Sequence, residues 1–302
     1  MKLAAAFVVV CMARGQTPQA SAEKAEAAVK DAALLQNTGK PLAAPFTCTD
    51  DDMQWAGMSC SEEEPCPVYL ELTAIEGVGN RIIVLGNIHT ETTTLYSVLL
   101  SSEDAGITWR EPYERRRGDG LDHIQMVDFQ NGWISGETLV PVARDPFFLI
   151  TSDGGKSWRL RPVVADGMTG AIQQFHFDSV ANGAMVIDRR QSEESARYEL
   201  YETPNGGETW MIRRTSDRPI PLPHRETAGE NSGWRIRADA RAKAFVIEKR
   251  AGEKWTAAAS FLVEIGSCKP TPRVLPPPPE PEAEPPSVTP TPPTLKKPRP
   301  KS

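Results

Sequence analysis

Asp104, Asp153 and Asn205 hold the same place in three eight-residue segments: SEDAGITW (Ser102 to Trp109), TSDGGKSW (Thr151 to Trp158) and TPNGGETW (Thr203 to Trp210). A carboxylate between hydroxyls in a glycine turn could serve as a general acid or a nucleophile. Asn205 argues against both, because an amide caps a turn but neither releases a proton nor attacks as a carboxylate. The reading is therefore architectural. The Asp or Asn accepts hydrogen bonds from backbone N–H groups just beyond it, and Gly106, Gly155 and Gly207 supply the positive φ of the turn. The hydroxyls of Ser102, Thr151 and Thr203 tie back. Trp109, Trp158 and Trp210 pack between sheets, each burying about 150 to 250 Å². No catalytic residue is assigned.

The other groups capable of chemistry are His123, His176, many arginines and five cysteines. His123 and His176 follow similar positions in successive repeats and would face a central channel, but two histidines without a third ligand make no metal site. Cys11 falls inside an N-terminal apolar run. Cys48, Cys60, Cys66 and Cys268 remain, an even set with no CxxC pair and no nearby histidine. They read as two disulfides of an oxidising compartment. Of three connectivities, spacing favours Cys48 with Cys60 and Cys66 with Cys268. The acidic clusters Asp50 to Asp52 and Glu62 to Glu64 match no calcium loop. No metal or cofactor is expected, and a formal net charge of −6 argues against nucleic acid as a partner.

The elements that must carry these groups read as follows. Residues 1–22 form a signal peptide: Lys2, an apolar run from Leu3 to Met12, and Ala20-Ser21-Ala22 as the cleavage pattern, with Ala13-Arg14-Gly15 as a rival. The mature chain then has no integral membrane span. Residues 23–67 are a polar N-terminal segment in which Glu23 to Gln36 reads as a short helix. Residues 68–268 are a series of short β-rich runs, such as Arg81 to Leu85 and Pro146 to Ile150, separated by Gly, Asn and Asp. Residues 269–302 contain 14 prolines in 34 residues and a basic end (Lys296, Lys297, Arg299, Lys301). This stretch reads as a disordered, extended tail able to tether the protein to an anionic envelope surface.

The β-rich region repeats. Trp109, Trp158, Trp210 and a degenerate Trp255 stand 49, 52 and 45 residues apart, a period that fits propeller blades. A second signal lies upstream of the last three: Asn131-Gly132-Trp133, Asn182-Gly183-Ala184 and Ser232-Gly233-Trp234. One unit then reads as inner strand, Asn-Gly turn, second strand, loop, third strand, eight-residue turn and outer strand, a four-stranded antiparallel blade. The fold class is all-β, a propeller of about four recognisable blades.

On these residues the chain resembles the Asp-box (BNR) repeat propellers of the sialidase-like superfamily. The pairing of Val127 to Trp133 with TSDGGKSW is closest in pattern to the photosystem II assembly-factor type. The resemblance covers roughly residues 68–260 and implies that the boxes lie away from the ligand face. A sialidase would need three arginines on a carboxylate, a Tyr activated by a Glu, and an Asp acid. The Arg-Ile-Pro motif is missing, and Tyr69, Tyr96, Tyr113, Tyr198 and Tyr201 mostly fall at packing positions. The face opposite the boxes is built from residues 110–122, 159–171 and 211–231, with 137–146 and 188–197. Arg115, Arg116, Arg117, Arg189, Arg190, Arg213, Arg214 and Arg218 lie there, interleaved with nearly as many acids. The function expected is a non-catalytic binding or assembly module, exported to the periplasm or cell surface, with a protein or glycan partner. The alternative is a glycoside hydrolase or carbohydrate-binding propeller.

Overall fold

The computed structural model describes residues 34–140, 142–164, 167–190, 196–222 and 233–271. The signal peptide expected over residues 1–22 and the Pro-rich stretch beyond Thr271 lie outside the described residues. The chain divides after Pro270 into two units, and Thr271 alone of the second is described. The first unit is a β-propeller.

Its first blade is the sheet of β2 (Cys66–Val78), β3 (Arg81–His89) and β4 (Thr94–Ser102), with the chain's last strand, β17 (Glu264–Cys268), on the other edge of β2. The short β5 (Thr108–Trp109) follows β4, next to the isolated bridge Ser101–Arg110. The second blade is β6 (Asp119–Met126), β7 (Gly132–Thr138), β8 (Arg144–Thr151) and β9 (Arg159–Pro162). The third is β10 (Ala171–Phe177), β11 (Gly183–Asp188), β12 (Tyr198–Thr203) and β13 (Met211–Ser216). In the second and third, the strands pair antiparallel in chain order, with the Asn-Gly turn after the first and the eight-residue turn after the third.

The fourth blade departs from the expected unit. Among the described residues it has three strands, β14 (Trp234–Asp239), β15 (Ala244–Ala251) and β16 (Lys254–Leu262). Trp234 identifies which strands of the unit these are. In the second blade the corresponding Trp133 opens the second strand and stacks on Phe177 of the next blade, 3.9 Å between centroids. Trp234 likewise opens β14 and lies so close to Gly77 of the first blade that a Cβ there would meet its ring at 2.1 Å. So β14 corresponds to a second strand, and among the described residues no inner strand pairs with it.

Alternation explains the packing, because each strand sends one face to each neighbour. One apolar cluster joins the fourth blade to the first (Trp234, Ile247 and Phe261 with Leu72, Val84 and Trp109). A second joins the first to the second (Leu85 and Leu99 with Leu121, Ile134 and Trp158). A third joins the second to the third (Trp133 and Phe148 with Phe177, Met185 and Tyr201). The far face of the third blade, Val186 and Tyr198, is covered by Ile220 and Leu222 of the following segment.

The N-terminal segment is more ordered than its composition suggests. The helix expected over Glu23 to Gln36 is not formed at its described end: Leu35–Gln36 is instead β1, paired antiparallel with β5. Farther on, Leu42 bridges β16 in parallel and is buried together with Ala44. The acidic triplet opens a helix, α1 (Asp50–Ala56). Carboxylates suit a helix N-terminus, and Thr49 with Asp52 forms a reciprocal capping box.

The disulfide pairing corrects the expectation. Cys48 joins Cys268, and Cys60 joins Cys66. The reason is the path of the N-terminal segment. It runs into the cluster shared by the first and fourth blades and carries Cys48 to the last strand, β17 (Glu264–Cys268). After α1 the chain reverses at Gly57, in left-handed conformation, and a turn in which Ser61 N donates to Glu64 O brings Cys60 back to Cys66. The long closure therefore exists, but from Cys48, while β17 pairs directly with β2, Cys268 opposite Cys66.

Candidate functional site

The eight-residue turns hold themselves together. Asp104 Oδ1 accepts from Thr108 N at 2.8 Å, and Asp153 Oδ1 accepts from Ser157 N at 3.0 Å. Asn205 Oδ1 accepts from Thr209 N at 3.0 Å. Below each, the hydroxyl of Ser102, Thr151 or Thr203 accepts from Gly106 N, Gly155 N or Gly207 N at 2.8, 2.8 and 2.9 Å. Trp109 and Trp158 donate Nε1 to the carbonyls of Gly106 and Gly155 at 3.1 and 3.2 Å. The third turn differs: Trp133 takes the Gly206 carbonyl at 3.0 Å, and Trp210 Nε1 is buried without a partner. Burial works to raise the Asp153 carboxyl, yet hydrogen bonds from Ser157, Thr151 and Lys156 outweigh it and hold the group below its ordinary range. Both oxygens of Asp153 accept hydrogen bonds from its own turn, Oδ1 from Thr151, Lys156 and Ser157 and Oδ2 from the Ser157 hydroxyl.

The opposite end of the blades is where loops from different sheets meet. Between the second and third blades the connection bridges back onto the β7–β8 loop, Arg144 opposite Thr169, and Gly170 N donates to Ala143 O at 2.8 Å. The result is a depression of about 220 Å³ lined by Val142, Ala143, Thr169, Gly170, Arg189 and Arg190. Glycine is required at Gly170, where φ is +134° and a Cβ would stand 2.9 Å from Asp188 O. Arg189 is fixed in the floor, its Nε donating to Thr169 O at 2.8 Å and its Nη1 pairing with Glu199 at 3.1 Å. Arg190 sits on the rim, its side chain 64% exposed and 3.6 Å from Asp188. Its φ of +37° is unusual for a residue with a side chain and is the kind of strain held at binding loops.

Beneath this cleft lie polar groups between the two sheets. Trp133, Ser135 and Glu137 alternate along β7 toward the third blade. The lower end of this row is aromatic, and the upper end is a carboxyl that is 5% exposed, with Oε2 lacking a hydrogen-bond partner. Burial first, then the neighbouring Asp122, pushes the Glu137 carboxyl up to about 9, against the pull of Arg190. Both influences favour its protonated form. Gln125 spans the same interface lower down, accepting from Phe177 N at 2.8 Å and donating to Phe177 O at 3.0 Å.

The two histidines are not equivalent. Met126 faces Gly132 as Phe177 faces Gly183, so the counterpart of His176 is Gln125 and not His123. His176 Nδ1 lies 3.2 Å from Gln125 Nε2, while His123 is exposed. The arginines are mostly neutralised. Arg115 pairs with Glu111 and Arg116 with Asp119, both at 2.5 Å, and Arg213 pairs with Glu202 at 2.9 Å. Arg117 holds α1 in place, meeting Asp52 at 2.7 Å and Asp51 at 2.8 Å, with its guanidinium 5.7 Å from the Trp55 ring centroid. Tyr201 and Glu199 have the residue types of a glycosidase nucleophile, at 2.7 Å. Burial and then Glu199 push that phenol above its ordinary value, opposite to activation. Among the described residues, no cluster of three or more His, Cys, Asp or Glu side chains could hold a metal.

The sequence marked the loops of the cleft, 137–146 and 159–171, and both arginines, without singling out Val142, Ala143, Thr169, Gly170 or Glu137 within them. Glu137 left one usable signal, the period-two alternation that places it in line with Trp133.

No family model and no curated protein matches the chain. Solved structures show a partial likeness to it. YCF48 bound to D1 peptide is 15% identical with a TM-score of 0.33, over 66% of this chain and 60% of that one. The GH74 xyloglucanase from Xanthomonas campestris is 23% identical with a TM-score of 0.32, over 45% and 19%. Prolyl oligopeptidase B from Galerina marginata is 10% identical with a TM-score of 0.34, over 65% and 27%. The chain thus spans about three fifths of the first and under a third of the other two. Among the described residues no helix is long and apolar enough to cross a membrane.

Proposed function

We propose that this chain is an exported, non-catalytic propeller of the Asp-box type that binds a protein segment in the cleft between its second and third blades. One observation carries the reading: loops from two sheets converge on an apolar wall, Val142 and Ala143, beside a fixed guanidinium, Arg189, and an exposed one, Arg190. A concave site with apolar lining and a few oriented polar groups is the general form of a binding pocket. Two disulfides support an oxidising compartment, the periplasm or cell surface. The resemblance to Asp-box propellers implies a ligand on the face opposite the boxes, and this cleft lies on that face.

The test is a photoreactive residue at Val142 in the full-length protein, expressed in its own cells and irradiated, with a second label at the exposed Phe129 on the box face. Discrete protein adducts from position 142, absent from position 129, are the expected result. Adducts from 129 alone would move the site to the other face. Capture of glycan by 142 would support the carbohydrate-binding alternative.

A further inference from the structure

The blades end in outer strands whose second edges must be closed or left open. Two are closed by the chain itself. β1 pairs with β5 of the first blade, where Asn37 N also donates to Ile107 O at 2.8 Å. Leu42 exchanges backbone hydrogen bonds with β16 of the fourth blade, Leu42 N to Ser260 O and Leu262 N to Leu42 O, both 2.8 Å. The propeller therefore accepts an added strand at its outer edges in either direction, antiparallel at one and parallel at the other.

The third blade ends differently. β13 is the last strand of its sheet, and among the described residues nothing pairs with its second edge. Five of its six residues are exposed, including Met211 at 44% and Ile212 at 55%. The outer strand of the second blade, β9, offers less: it has four residues and ends at Pro162, which has no N–H to donate. Its two arginines, Arg159 and Arg161, are both held by Glu208.

The charge on β13 selects the occupant. Residues 211–218 carry Arg213, Arg214 and Arg218 against a single carboxylate, Asp217. Arg213 is paired with Glu202, whereas Arg214 is exposed and makes no ion pair among the described residues. A second copy laid antiparallel on this edge would bring the Arg213-Arg214 stretch against itself, and like charges facing each other across a ladder are unfavourable. Arginines on an open edge are how proteins keep identical edges apart. They do not repel a strand of opposite charge.

We infer that β13 is a docking edge for an extended, acidic segment of another protein, added as a fifth strand to the third blade. Main-chain hydrogen bonds supply the attachment, and Met211, Ile212 and Arg214 read the side chains. This edge is separate from the cleft proposed above, and neither reading depends on the other.

The experiment uses the full-length protein and fluorescently labelled eight-residue peptides of alternating Val and Glu. Controls are the Val-Lys counterpart and versions of the Val-Glu peptide N-methylated at alternate residues in both registers. Anisotropy should show the acidic peptide binding at least tenfold tighter than the basic one. At least one N-methylated register should lose binding by tenfold or more, since one set of N–H groups must face β13. Arg214→Glu, an exposed substitution, should reverse the preference between Val-Glu and Val-Lys peptides. Arg189→Ala, in the cleft, should leave peptide binding unchanged. Equal binding of acidic and basic peptides, or full binding in both N-methylated registers, overturns the inference. So does sedimentation showing a dimer that Arg214→Glu abolishes, which would make a second copy the occupant.

Discussion

Replacing Glu137 by Gln should flatten the pH dependence of stability. The carboxyl is 5% exposed and pushed up from 4.5 to about 9 by burial and then by Asp122. A folded-state value above the unfolded one means that the proton favours folding. That contribution is complete below the unfolded pKa and is lost as pH rises toward the folded one. Between about pH 6 and 8 the unfolded chain has released this proton and the folded protein keeps it, so stability falls by about 1.4 kcal/mol per pH unit. Over that window the loss is about 3 kcal/mol, an upper figure because Asp119, Asp122 and Arg190 share the field around the site. The amide of the variant has nearly the same shape as the protonated carboxyl and no proton to lose. The assay is urea unfolding followed by tryptophan fluorescence at several pH values across the window, for Glu137→Gln and wild type in parallel. The slope difference between the two proteins is the readout, which cancels the histidines common to both. Parallel curves would refute the reasoning, since they would show Glu137 ionised in the folded protein or solvated by a rearrangement of the cleft.

Three further outcomes are expected. Asp153→Ala removes a turn cap and should lower stability by about 1 kcal/mol, the low end because the residue is exposed, while peptide capture at Val142 persists. Since its hydrogen bonds hold the Asp153 carboxyl below its ordinary range, that contribution is present at neutral pH and fades as the pH falls through the acid range; melting at pH 7 and at pH 3 measures it. Cys48→Ala should cost up to about 5 kcal/mol in the chain-entropy picture, because a 220-residue separation is released, and mass mapping of the unreduced protein should yield Cys48–Cys268 and Cys60–Cys66 peptides. Gln125→Ala strands the N–H and C=O of Phe177 between two sheets and should destabilise by about 1 to 3 kcal/mol, measured by denaturant titration.

What was legible in the sequence was what repeats. Three copies of one turn, each with its glycine and tryptophan, disclose the blades because a turn is a local interaction and its chemistry is written in adjacent residues. Asn205 in place of Asp104 and Asp153 was enough to read the role as hydrogen-bond acceptance. What was not legible depended on residues far apart in the chain. The Cys48–Cys268 pairing follows from the path of residues 34–48 along two outer strands, and no local spacing encodes that path. Composition made this segment look featureless, yet Leu42 and Ala44 are buried because neighbouring sheets cover them. The cleft was half visible: its loops follow from blade topology, whereas the buried state of Glu137 arises only when the third blade closes over β7.

The pairing of β17 with β2 also dictates an order of events during synthesis. Residues 66–69 leave the ribosome about 200 residues before the strand that completes their sheet, and Cys48 waits equally long for Cys268. The first blade is thus the first made and the last finished. Until the final strand arrives, a nascent chain presents an unpaired edge and a free thiol at its N-terminal end. A stop codon or proteolytic cut just before Cys268 would accordingly appear as damage to the first blade, at the opposite end of the gene from the lesion.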